Sequence, residues 1–179
     1  METKKKYRLT DECIIHEGRT LYRIEAIEDF GYIKAGTKGG WVESECNLSH
    51  DGSCWVWDNA KFFGDARAFG NAMVFENAQV FDDAQVCGNA RVFGNARVFG
   101  DAVISNNAIV RDDSDYIVFK NWWSSGRYFT WTRSNNMWCV GCFYGTGDEL
   151  IAKAYQDSEL SGREYERVVN YVKSILEET

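Results

Sequence analysis

The sequence predicts a mainly β protein built as a hexapeptide β-helix, and three observations carry that prediction. From Cys54 to Ser114 a small residue returns at every sixth position, as Ala60, Ala66, Ala72, Ala78, Ala84, Ala90, Ala96, Ala102 and Ala108. Two places after each stands an apolar residue: Phe62, Ala68, Val74, Val80, Val86, Val92, Val98, Ile104 and Val110. One place before each stands Asn or Asp. A period of six fits neither a 3.6-residue helix nor plain strand alternation.

The repeat A-x-V-F-G-N has a direct physical sense. Ala and Val two apart point the same way in a short strand. Gly followed by Asn or Asp supplies residues that tolerate positive φ at a corner. Small and aliphatic side chains then fill a three-sided coil, with three hexads making one turn. Residues 36–114 give about four triangular coils, a prism about 20 Å tall at the strand spacing of about 4.8 Å. The chain has no proline, which suits uninterrupted backbone pairing.

Hexads of this form resemble those of left-handed parallel β-helices. More narrowly, Gly39-Gly40-Trp41-Val42-Glu43-Ser44-Glu45, then Asn47-Leu48-Ser49 and the Asn-Ala-x-Val-Phe-Gly repeats, look like hexapeptide-repeat proteins common in bacteriophages and prophages. The tail from Cys139 through Cys142 to Thr146, with the helices after it, is similar to a C-terminal module often attached to them. The resemblance implies architecture and a phage type; it implies no single activity.

Three regions follow: an N-terminal β cap at 1–35, the repeat prism at 36–114 and a C-terminal α+β module at 115–179. In the first, Cys13–His16 and Leu21–Ile24 read as strands joined at Glu17-Gly18, a hairpin covering the first coil. Asp29-Phe30-Gly31 copies a kinase tripeptide without any companion motif. In the lead-in, Val42 and Leu48 are read in the alanine phase, which implies an irregular first turn. In the tail, Tyr116–Phe119, Arg127–Arg133 and Met137–Val140 read as three strands. Thr146 to Glu149 and Ser161 to Glu164 read as capping boxes opening two helices. The second helix carries Tyr165, Val168, Val169, Val172, Ile175 and Leu176 on one face.

Charge and composition narrow the function classes. The net charge is -7, and between Gly36 and Ser114 eleven acidic residues face six basic ones. Such a prism repels DNA rather than binding it, yet a rigid acidic surface competes with nucleic acid for a basic groove on another protein. No apolar run approaches the ~20 residues of a membrane span; with no signal-like segment, the cytoplasm is the expected location. The six cysteines are read as reduced thiols. Cys139 and Cys142 form one C-x-x-C without a second, and a strand would place them on opposite faces, so neither a zinc site nor a redox pair is assigned. No metal and no cofactor is expected.

The candidate contact residues lie outside the repeat core. Trp57, Phe75 and Phe93 stack along one edge by the 18-residue turn, and Phe63, Phe81 and Phe99 along another; such ladders either shield the corner backbone or mark a contact surface. Asp101, Asp112 and Asp113 sit toward the far end, where turn chemistry is the plainer account. Arg127, Trp131 and Arg133 share one strand face, which either stacks a nucleotide or packs on the helices. Two edge ladders also fit a homo-oligomer, dimer or trimer.

Catalysis has few candidates. There are two histidines, His16 and His50, too few for the three ligands of a prism-type carbonic anhydrase. An acyltransferase would need His50 as base. The expectation is therefore a non-catalytic binding protein of phage type, concretely an anti-CRISPR-like antagonist of a bacterial defence component acting by protein–protein contact. The alternatives are a sponge for a small, cyclic nucleotide and a divergent hexapeptide acyltransferase.

Overall fold

The computed structural model describes residues 4–177. A hairpin of β1 (Tyr7–His16) and β2 (Arg19–Ala26) leads into β3 (Lys38–Val42). Ten two-residue strands follow, one per hexad: β4 (Trp55–Val56), β5 (Lys61–Phe62), β6 (Arg67–Ala68), β7 (Met73–Val74), β8 (Gln79–Val80), β9 (Gln85–Val86), β10 (Arg91–Val92), β11 (Arg97–Val98), β12 (Val103–Ile104) and β13 (Ile109–Val110). They stack in parallel on three faces. The first face is β3, β5, β8 and β11; the second is β4, β7, β10 and β13; the third is β6, β9 and β12 with Leu48 bridged to Ala68. Four coils result, as the repeat predicts.

Every repeat alanine and its following aliphatic residue is buried in one continuous core. The corners turn at the residue after the aromatic position, with positive φ at Gly64, Gly70, Gly88, Gly94 and Gly100 and also at Asp58, Glu76, Asp82 and Asn106. Of these five glycines the most constrained is Gly94, where an added Cβ would lie 2.6 Å from the carbonyl oxygen of Arg111 in the next coil.

The lead-in is irregular for a different reason from the one its phase suggests. Val42 pairs with Phe62 and Leu48 with Ala68, twenty residues apart rather than eighteen. Both therefore occupy the aliphatic slot, not the alanine slot, and Gly40 stands two places before Val42. The two extra residues fall between Leu48 and Cys54, in the corner that holds His50 and Gly52.

Parallel stacking gives the prism a polarity, because each coil donates N–H groups to the carbonyls of the next, as Lys61 N to Ala78 O and Trp57 N to Val74 O. The first coil is left with bare carbonyls and the last with bare N–H groups, and both are costly if unpaired. Donors cover the first: Lys6 Nζ reaches Gly52 O and Cys54 O at 3.1 Å, and Tyr7 Oη reaches Leu48 O at 2.8 Å. Lys6 is buried there, 3.4 Å from Cys54 Sγ, and burial lowers its pKa. Side-chain acceptors cover the last coil on all three faces. Asp113 Oδ1 takes Arg97 N at 2.7 Å, Thr130 Oγ1 takes Val103 N at 2.9 Å and Ser134 Oγ takes Ile109 N at 2.7 Å.

Thr130 and Ser134 belong to the C-terminal module, which has four strands rather than three: β14 (Tyr116–Lys120), β15 (Tyr128–Thr132), β16 (Met137–Val140) and β17 (Phe143–Gly145), in that order and antiparallel. Its β15 strand is buried on both sides from Phe129 to Thr132. Thr130 meets the prism, while Phe129 and Trp131 join a second core with α1 (Gly147–Asp157) and α2 (Glu159–Glu177). The Thr146 capping box forms as predicted. The second does not: α2 begins earlier, and Ser158 Oγ accepts from Ser161 N at 3.1 Å, leaving Ser161 inside the helix. Gly162 is there because an added Cβ would meet the Tyr155 ring at 2.2 Å.

Candidate interaction site on the third face

The three prism edges differ in what they present. At the edge between the first and third faces, Phe63, Phe81 and Phe99 stack with centroids 5.0 and 5.3 Å apart. The His16 ring lies edge-on to Phe63 at 5.4 Å and its Nε2 is 3.1 Å from Gln79 Oε1, so the hairpin tip covers this ladder at its N-terminal end. Phe63 is buried and Phe99 is 46% exposed; the ladder is free only at its far end. At the edge between the second and first faces, Phe75 and Phe93 stack at 4.8 Å. Trp57 leaves that stack and packs edge-on against Trp55 instead.

Two residues beyond each phenylalanine of the first edge, Asp65, Asp83 and Asp101 repeat once per coil and are exposed. Among the described residues none of the three makes a hydrogen bond or ion pair. Other acidic residues of the prism are used by the backbone. Glu43 accepts from Gly64 N at 2.7 Å, Glu76 from Gly94 N at 2.9 Å and Asp82 from Gly100 N at 3.3 Å, each one coil on. At the far end Asp112 accepts from Ser114, whose hydroxyl and backbone N–H hold its carboxyl below the usual range, and Asp115 accepts from Arg111 N. Asp112 and Asp113 thus serve the last coil, and Asp101 does not.

The free carboxylates border a groove of about 920 Å³ along the third face. Arg67 and Gln85 line its floor, and Arg127 of the β14–β15 loop and Tyr128 at the start of β15 line its lower end. Of the residues singled out from sequence, the structure brings Asp101 and Arg127 together here. It separates Arg127 from its supposed neighbours: Trp131 is buried, its Nε1–H donating to Asn136 Oδ1 at 2.9 Å, and Arg133 is half-buried with its backbone N–H on Asp115 O. The Arg127-Trp131-Arg133 face is therefore no nucleotide platform, because alternation in β15 turns its aromatic side into the helical core. Asp65, Asp83 and Arg67 complete the lining of this groove, and the 18-residue recurrence of Asp is their signal in the sequence.

His50 and Cys139 are engaged by the fold. His50 stacks on Tyr7 with centroids 4.4 Å apart, and its Nδ1 accepts from Lys6 N at 3.4 Å. Burial holds its pKa down against the pull of Glu45, whose Oε2 lies 3.9 Å from Nε2. A neutral ring accepting at Nδ1 carries its proton on Nε2. Cys139 lies in β16 with its pKa raised by burial, and Cys142 is exposed in the following turn. Among the described residues no group of three or more His, Cys, Asp or Glu is placed to hold a metal ion, and no helix is long and apolar enough to cross a membrane.

Comparison with known proteins agrees with the repeat. A family model described as the YdcK beta solenoid repeat matches residues 84–98. A protein of Escherichia coli (strain K12) described as an uncharacterized acetyltransferase, YdcK, is 42% identical over 71 residues, which is 35% of this chain. The chain spans 22% of that relative's length. Repeat, register and similarity agree: the chain folds as a parallel β-helix with a six-residue repeat.

Proposed function

We propose that this chain is a non-catalytic binding protein of phage type that acts by protein–protein contact from the host cytoplasm. Its concrete form is an anti-CRISPR-like antagonist of a bacterial defence component. One observation carries the reading: three exposed carboxylates, one per coil, that no backbone group uses. Like charges stacked on neighbouring strands cost stability, and local rules are broken at functional sites. The column places a negative charge about every 4.8 Å, against about every 3.4 Å along one strand of duplex DNA. Such a column fits a basic groove that otherwise holds nucleic acid. The phage type and the defence partner rest on the resemblance of the Gly39–Ser49 lead-in and the tail.

The test is affinity capture from bacterial lysate by the full chain and by an Asp65→Asn/Asp83→Asn/Asp101→Asn variant. The reading predicts a stoichiometric protein that duplex DNA displaces and the variant fails to hold. A partner retained equally by the variant contradicts it. A homo-oligomer, dimer or trimer, is part of the proposal, and the mass in solution checks it.

A second reading has one observation in its favour, the acetyltransferase description of the partial relative. The proton on His50 Nε2 and the ring's burial against Tyr7 weigh against a free base. Acetyl-CoA turnover that disappears in His50→Ala would establish it. A nucleotide sponge is left with a subunit boundary as its site, and nucleotide released on heat denaturation would support it.

A further inference from the structure

The second face carries a groove of about 380 Å³, around the prism from the acidic column. Its floor is the outward column Trp55, Met73 and Arg91, one residue per coil. Tyr32 closes the N-terminal end with its ring wholly in solvent, and Trp57 flanks it half-buried. Trp57 packs edge-on against the Trp55 floor and Tyr32 stands free beside them, so two aromatic rings flank one end of the groove.

The polar groups at this groove are incompletely used. Trp55 is 1% exposed and its Nε1–H has no acceptor among the described residues. Asn71 and Asn89 form one wall, linked by Nδ2 of Asn71 to Oδ1 of Asn89 at 3.1 Å. Each amide spends one of its two N–H hydrogens on this chain, which leaves the second for another acceptor. At the far end the Arg91 guanidinium makes no ion pair or hydrogen bond among the described residues. It lies two coils from Trp55, about 10 Å at the strand spacing.

We propose that this groove binds an elongated aryl anion, with its ring against Trp57 and Tyr32 and its anionic group on Arg91. The Arg91 cation at one end selects against cationic ligands, and the spare amide N–H donors of Asn71 and Asn89 along the wall favour acceptor groups on the ligand. The volume lies within the range of small-molecule sites. The site shares no residue with the acidic column, so its failure would leave the protein-contact reading standing.

The probe is 1-anilinonaphthalene-8-sulfonate, titrated into the full chain while bound-dye emission and tryptophan quenching are followed. Saturable binding of one dye per chain is expected. Arg91→Glu should weaken it by about tenfold or more, since a charge-assisted contact is lost. Met73→Trp, which fills the floor, should abolish binding in a variant whose circular dichroism matches wild type, and Arg111→Glu should leave it unchanged. The uncharged N-phenyl-1-naphthylamine should bind about tenfold more weakly. Absent saturation, or equal binding by wild type and Arg91→Glu, overturns the proposal, as does equal affinity for the neutral dye.

Discussion

At the edge between the second and third faces, Ser53, Asn71, Asn89 and Asn107 link side chain to side chain at 2.7, 3.1 and 3.3 Å. At the edge between the first and third faces, Asp65, Asp83 and Asp101 fill the same repeat position and bond to nothing among the described residues. The backbone is the same at both, down to the positive φ of the residue before. The slot asks only for a short polar side chain at a tight corner. At the first of these edges asparagine meets that request and adds a bond per coil, whereas aspartate at the second meets it and adds repulsion. The fold alone would favour asparagine at both edges, and the proposed protein contact rests on that contrast.

Three substitutions probe this contrast, starting with the interior both edges share. Ala84→Leu forces a large side chain into a slot with no exposed surface, and overpacking of this kind should cost about 3 kcal/mol. Chemical denaturation would show it, and near-native stability would mean that the interior is not close-packed. Next, Asn71→Asp with Asn89→Asp converts the bonded edge into a copy of the acidic one. Losing two donors and gaining two like charges should cost about 1–2 kcal/mol, with part recovered in high salt. An unchanged melting temperature would show that the amide chain contributes nothing.

The asparagine edge also holds Cys87, which gives a smaller, pH-dependent contrast. Burial first, and the nearby Cys139 second, push the Cys87 thiol up to about 11. A folded-state pKa above the unfolded value means that its contribution is intact below about pH 8.5 and is lost as pH rises toward 11. Alkylation at neutral pH should therefore mark the exposed Cys13 and Cys142 well before Cys87. Equal rates would refute the packing of the module against this edge.

The parts of the structure legible from the sequence are those where one physical demand repeats. Nine alanines in one phase specify the interior, and the 18-residue turn places Phe63, Phe81 and Phe99 in register before any coordinates are known. What the sequence hides is set by single contacts between distant segments. Lys6 stands in a basic run of the sequence with no pattern to mark it, yet its ammonium covers the carbonyls of a coil some fifty residues on. Thr130 and Ser134 read as strand and turn residues, yet their hydroxyls end the stack. The two-residue insertion after Leu48 shifted the apparent phase of Val42. The acidic column was visible as a repeat, but only the bonds of its asparagine and glutamate neighbours reveal that it is the unused one.

The most direct measurement is the unfolding free energy of the Asp65→Asn/Asp83→Asn/Asp101→Asn variant at low and high salt. If the column exists for a partner, the variant is as stable as wild type or more so, by a few tenths to about 1 kcal/mol at low salt, and the gap closes as salt rises. A variant less stable than wild type would show that the carboxylates serve the corners after all, and would contradict the account.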